Sequence, residues 1–267
     1  MTKRAVVVFN LGGPDSLKAV RPFLFNLFND RAIITLPQPA RFLLATLISS
    51  LRKKKAQGIY KHMGGQSPIL ALTSQQADAL EKQLNASKAV AEDEYKVFVC
   101  MRYWHPMTEV VVKKVKAYAP DSITLLPLYP QFSTSTTGSS FSEWAKLSAK
   151  HGLQAPVSSV CCYPVDKRFV AAHVKLIKEM YWKASEHGKP RVLFSAHGLP
   201  QKFIDGGDPY QWQVERTVAA IVQVLAIDEM DHVICYQSKV GRLEWIGPST
   251  DDEIQEAGKD KVPVLVV

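Results

Sequence analysis

The sequence predicts an α/β protein of two similar-sized halves with doubly wound parallel sheets, and three observations predict it. Short apolar runs bounded by turn residues recur along the chain, amphipathic helical stretches separate them, and chemically capable residues collect just after the runs. A length of 267 residues suits one large or two medium domains, and a 46% hydrophobic content is that of an ordinary folded chain. Disordered, collagen-like and small disulfide-stapled proteins are excluded on the same grounds.

Taken in order, the expected strands are 5–11, 95–101, 123–129, 157–163, 192–196, 232–236 and 262–267. Expected helices cover 73–84, 107–117, 169–186 and 212–225; in the second, Val111, Val112 and Val115 share one face while Lys113 and Lys116 share another. The segment KHGLQAP (150–156) separates two βαβ runs, which sets domains at 1–152 and 153–267 facing one another across a cleft. Ligands of such sheets bind at the carboxyl ends of the strands, so those ends carry the functional reading.

Charge and cysteines narrow the classes. The net charge is +8, but no basic repeat or aromatic-interleaved basic motif occurs, so an anionic small molecule or a lipid surface suits it better than nucleic acid. Cys100, Cys161, Cys162 and Cys235 lie in apolar stretches without the spacing of a zinc site or disulfide framework, which reads as buried, reduced thiols of a cytoplasmic protein. The run FLLATLI (42–48) is far short of the roughly 20 residues that span a bilayer. The opening MTKRAVVVFNLGG has no small-residue cleavage site and reads as a first strand.

At the strand ends, Gly12-Gly13-Pro14 reads as a tight strand-to-helix turn in preference to a phosphate loop, since neither GxGxxG nor the Walker pattern is present. The hydroxyl-rich stretch 133–140 exceeds what helix capping needs, and the GxSxG elbow of acyl transfer is missing. Arg102, set among aromatics in MRYWHP, is either a carboxylate clamp or half of a salt bridge. His197, directly after an apolar strand, is either a general base or metal ligand, or a structural histidine. Phe42 to Leu51 followed by Arg52 and Lys53 to Lys55 reads either as a core helix ending in dipole-complementing cations or as an amphipathic lip.

These segments together resemble the ferrochelatase family: FNLGGP (9–14), YKHMGGQSPI (60–69), MRYWHP (101–106), LPLYPQFSTSTTGSS (126–140), SAHGLP (195–200), GDPY (207–210) and YQSKVGRLEWIGPST (236–250). The resemblance implies an α/β fold of two Rossmann-like, doubly wound parallel-sheet domains of ferrochelatase type, and a lyase that inserts ferrous iron into protoporphyrin IX to form protohaem, or into coproporphyrin, with iron as substrate and no prosthetic group. His197 matches the histidine regarded as proton acceptor or iron ligand. Leu11, Tyr60, Tyr103 and Trp245 match positions lining the porphyrin pocket. Arg102, Ser67 and Arg52 match positions that meet the propionates, Arg52 only by its offset from Tyr60. The resemblance also turns residues 42–55 into a lip against a membrane, with the protein peripheral at its inner face.

One departure has consequences. A glutamate-bearing segment that follows the VPVLVV strand in the family is not in this sequence, which ends at Val267. The expectation is therefore a porphyrin cleft with little or no turnover, and the alternative class is a porphyrin- or haem-binding chain. An iron–sulfur cluster is unsupported by the four cysteines. A nucleotide- or phosphosugar-binding α/β protein is the third reading, on the Gly12-Gly13 and TSTTGSS loops alone.

Overall fold

The structure, a computed structural model, describes residues 2–87, 93–241 and 243–267; Arg242, within the stretch 236–250, lies outside the described residues. The chain forms two compact units, one running to Tyr129 and including Thr134–Cys162, the other made of Pro130–Ser133 and Tyr163–Val267.

The first unit is built on a parallel sheet of β1 (Thr2–Asn10), β2 (Asp93–Met101), β3 (Ser122–Pro127) and β4 (Val157–Ser159), in the order β2-β1-β3-β4. Residues Ala5 to Phe9 of central β1 are all buried, because helices cover both faces and alternate side chains enter different cores. Val7 and Phe9 pack with Val111, Val112 and Val115 of α4 (Thr108–Tyr118) and Trp144 and Leu147 of α5 (Ser139–His151). Val6 and Val8 pack on the other side with Ala77 of α3 (Ile69–Ala86). A π-helical turn, Thr134–Gly138, leads into α5. The unit is completed by α1 (Val20–Phe28) and α2 (Ala40–His62).

The second unit has a parallel sheet of β5 (Arg191–His197), β6 (His232–Gln237) and β7 (Val264–Val266), ordered β6-β5-β7. Its helices are α6 (Lys167–Ser185), α7 (Gln201–Asp205), α8 (Tyr210–Leu225) and α9 (Thr250–Asp260). Asp166 caps α6 by accepting from the N–H groups of Arg168 and Phe169 at 2.9 and 3.0 Å. Val192 and Phe194 of β5 meet Ile177 and Tyr181 of α6 and Val218, Ile221 and Leu225 of α8 in the core.

All seven expected strands form, and four differences matter. The strand expected over 157–163 is only three residues long and exposed, and it pairs with β3 (Ile123 opposite Val157) rather than opening the second unit. The boundary therefore falls after Cys162, not at 152/153. With the strand ending at Ser159, Cys161 is exposed and Cys162 half-buried, so only Cys100 and Cys235 are core thiols.

The basic cluster Arg52 to Lys55 does not end its helix. Gly58 is carried within the helix, so α2 runs on to His62 and the cluster lies mid-helix, away from the C-terminal dipole. Only Arg41, Ala45 and Ser49 of α2 are buried, which contradicts a core helix and leaves Phe42, Leu43, Leu47 and Leu51 exposed. Lastly, the helix expected after the Gly12-Gly13-Pro14 turn forms as α1, starting at Val20, whereas α9 was not expected; α9 buries only Thr250 and Ala257 and so shows no apolar stripe.

Candidate functional site

In the first unit, the carboxyl end of β1 organises the candidate residues. The backbone N–H of Arg102 donates to Asn10 O (2.9 Å) and that of Tyr103 to Leu11 O (2.9 Å), so the loop after β2 is laid directly on the loop after β1. Ser67 is drawn to the same place, its N–H donating to Pro14 O at 2.8 Å. Gly13 is required for this approach, since a Cβ there would stand 2.5 Å from both Cβ and Oγ of Ser67. Leu11, Ser67, Arg102 and Tyr103 are thus brought into one loop cluster, while Tyr60 lies in the last turn of α2, where the N–H of Gly65 donates to its carbonyl at 2.8 Å. Arg52 stands apart on the exposed face of α2, its guanidinium 5.9 Å from the Phe28 ring centroid.

Arg102 realises the salt-bridge reading on part of its fork. Nη2 donates to Asp30 Oδ2 at 2.8 Å and Nε to Ser139 Oγ at 2.7 Å, while Nη1 has no partner among the described residues. The guanidinium lies 5.0 Å from the Tyr103 ring centroid, and the Tyr103 hydroxyl donates to Asp30 Oδ2 at 2.7 Å. Ser139 Oγ also donates to Asp30 Oδ2, and the Ala32 N–H donates to Oδ1 at 2.9 Å. Burial alone would raise the Asp30 carboxyl, but the Arg102 charge and these donors outweigh it and hold it below its ordinary value. Tyr103 is only 1% exposed, and burial first and the Asp30 charge second push its hydroxyl far up, so it stays neutral.

Asp30 was not singled out from the sequence, and Ser139 was noted only as part of the hydroxyl-rich stretch 133–140. Beside them opens a cavity of about 700 Å³ that Arg31, Lys146, Arg102 and Tyr103 help to line. Arg41, also on its wall, is committed to the carbonyls of Asn29 (2.9 Å) and Leu36 (2.8 Å). The uncommitted Nη1 of Arg102 and the Arg31 guanidinium suit this wall to a carboxylate.

In the second unit, β5 ends on His197, whose ring is exposed. Its Nδ1 lies 2.7 Å from the Gly198 carbonyl oxygen, an atom that can only accept, so Nδ1 carries the proton of the neutral ring. Nε2 is left with a lone pair and no partner among the described residues, ready to take a proton or bind a metal. Burial pushes the nearby Tyr210 hydroxyl up to about 12, with the His197 backbone N–H acting the other way.

Trp245 is brought to the same strand end. Residues Pro200 and Trp245 bridge, and Ile246 N–H donates to Leu199 O at 3.0 Å. A Cβ on Gly198 would stand 2.9 Å from the Gln237 carbonyl oxygen and 3.2 Å from Cε3 of Trp245, so only glycine lets the indole lie this close. Two of the hydroxyl-rich and acidic segments prove architectural here: Ser133 Oγ donates to the buried Asp208 carboxylate (2.9 Å), which in turn takes the Tyr210 N–H (3.1 Å) at the start of α8. Gln213, also unforeseen, accepts from the Phe132 N–H at 2.7 Å. Among the described residues no group of three or more His, Cys, Asp and Glu side chains could hold a metal ion.

Comparison with known proteins fits these strand ends. The ferrochelatase family model matches residues 3–267. The chain is 52% identical over 264 residues to the ferrochelatase of Wolbachia sp. subsp. Drosophila simulans (strain wRi), covering 99% of this chain and 83% of that one. It is 51% identical over 263 residues to that of Rickettsia bellii (strain OSU 85-389), covering 98% and 72%. With that of Caulobacter vibrioides (strain NA1000 / CB15N) it shares 52% over 264 residues, covering 99% and 74%. A solved structure, SirB from Bacillus subtilis with Fe3+, matches 100% of this chain and 75% of that one at 13% identity and a TM-score of 0.48.

The class so defined is that of the metal chelatases, lyases that place a metal ion in a tetrapyrrole ring. The chain belongs to the ferrochelatase family. Its reaction is insertion of iron into a porphyrin, with the iron a substrate.

Proposed function

We propose that the porphyrin is protoporphyrin IX, that the metal is ferrous iron, and that Nε2 of His197 is the base. Metallation replaces two pyrrole N–H protons by one Fe²⁺ ion, so each turnover forms iron porphyrin and releases two protons. The observation that carries the reading is the 2.7 Å contact from Nδ1 to the Gly198 carbonyl, which in the neutral ring keeps the proton on Nδ1 and makes Nε2 the accepting nitrogen. One imidazole takes one proton at a time and must pass the first on before accepting the second. An exposed ring does this directly to water. In the first unit Leu11, Tyr60 and Tyr103 supply apolar contact and Arg102 Nη1 and Ser67 meet a propionate; in the second unit Trp245 supplies apolar contact beside His197.

We further propose that the protein works in the cytoplasm, at the inner face of the membrane, with residues 42–55 against the lipid. Leu43, Leu47 and Leu51 are 66, 56 and 73% exposed, and Arg52 to Lys55 follow them on the same helix, a pairing suited to acyl chains beside acidic headgroups. No helix among the described residues is long and apolar enough to cross a membrane.

The test is anaerobic titration of the chain with protoporphyrin IX and with coproporphyrin III, followed by addition of ferrous iron and absorbance monitoring. Faster metallation of protoporphyrin supports the reading. Preference for coproporphyrin overturns it, and saturable binding with no metallation of either ring overturns it in favour of the porphyrin-binding chain without turnover expected from the sequence.

A further inference from the structure

A second cavity of about 700 Å³ lies at the outer edge of the first unit's sheet, between β2 and α4, lined by none of the residues assigned to the porphyrin or to the proton. Its wall carries three ammonium groups, Lys3, Lys96 and Lys114, and the rings of Phe98 and Tyr118. Lys3 Nζ is 5.3 Å and Lys96 Nζ 5.5 Å from the Tyr118 centroid, and Lys96 Nζ is also 5.8 Å from that of Phe98. Two cations therefore share one ring.

The neighbouring lysines of α4 are committed: Lys113 pairs with Glu109 at 3.8 Å and Lys116 donates to the His151 carbonyl at 2.6 Å. Lys3, Lys96 and Lys114 have no ion-pair partner among the described residues. Carboxylates do stand near, and after burial Glu94, Glu81 and Asp121 help push the Tyr118 hydroxyl up to about 12. Two of these are already engaged with backbone, Glu81 accepting from Val97 N–H and Asp121 from Lys3 N–H, each at 2.7 Å. Like charges gathered over aromatic faces repel one another, and an anion set among them relieves that repulsion.

The aromatic wall is set. The Tyr118 hydroxyl donates to the Glu94 carbonyl at 3.2 Å, and its ring meets Phe98 at 5.8 Å between centroids, tilted by 59°. Val111 closes the apolar floor. We infer that this cavity is a separate binding site for a small aromatic carboxylate, its ring against Phe98 and Tyr118 and its anion among the three lysines. The volume falls in the range of ordinary small-molecule sites.

The probe is 2-naphthoate, titrated calorimetrically into the full chain, into Lys96→Gln/Lys114→Gln and into Ala117→Trp, with 2-naphthylmethanol as its neutral counterpart. Lys96, Lys114 and Ala117 are exposed, and the two variants remove charge and space independently. The expected result is one equivalent of naphthoate bound to the unmodified chain, weakened about tenfold or more in each variant and for the neutral alcohol. No binding at millimolar naphthoate, unchanged affinity in both variants, or equal affinity for the alcohol overturns the inference.

Discussion

The Arg102 guanidinium and the Asp30 carboxylate meet at 2.8 Å where the aspartate is only 9% exposed, and the carboxylate collects the Tyr103 and Ser139 hydroxyls as well. Removing one partner of such a pair leaves the other buried and uncompensated, so Asp30→Asn should cost about 3 kcal/mol at neutral pH. Because the folded state holds Asp30 below its ordinary value of 3.8, the stabilisation is complete above that value and is lost as pH falls through the lower folded one. Denaturant unfolding of both proteins from pH 7 to pH 2 should therefore show the gap between them closing below about pH 4. A gap that persists into acid contradicts the assignment.

The contact of Gly13 with Ser67 makes a second prediction, since no atom fits between them. Gly13→Ala should lose about 1–3 kcal/mol of stability by overpacking, and Gly13→Ala/Ser67→Gly should recover at least half of it. Thermal melts of the two singles and the double complete the cycle. Additive losses would show that the two loops do not meet as described.

Thiol accessibility divides the cysteines. Burial pushes the Cys100 thiol up to about 12, and Cys100 and Cys235 are both 0% exposed, whereas Cys161 is exposed. Mass spectrometry after brief alkylation at pH 8 should find Cys161 labelled first, and Cys100 and Cys235 labelled only after denaturation.

Exposure on α2 predicts separable effects on stability and on lipid binding. Leu43→Ser/Leu47→Ser/Leu51→Ser removes three exposed side chains, so each change should alter stability by less than about 0.5 kcal/mol. Cosedimentation with vesicles of phosphatidylglycerol and phosphatidylcholine should nevertheless fall several-fold. Unchanged cosedimentation would remove the lip from the account.

How far the sequence alone led depended on whether a residue's role was local. Central strands such as β1 read plainly because both faces are buried and the run is continuously apolar, and His197 was found because a strand end exposes it. Three things were hidden. Short β4 has the composition of a longer strand, and its pairing with β3 is a matter of register that spacing does not contain. The lip and core readings of α2 could not be separated by pattern, since small residues, Ala45 and Ser49, make the buried stripe. Asp30 lies 72 positions from Arg102 in a sequence that gives no sign of the pairing. Only a buried acid after a helix, far from any cation in sequence, would have hinted at it.

The central claim is that His197 supplies the base and not the binding surface. Single-turnover metallation of protoporphyrin by ferrous iron, measured beside porphyrin affinity in the unmodified chain and in His197→Ala, tests it most directly. The account predicts affinity within about twofold and a metallation rate lower by at least about 100-fold, partly restored by added imidazole. A rate in the variant within about tenfold of the original, or a loss confined to porphyrin affinity, contradicts it.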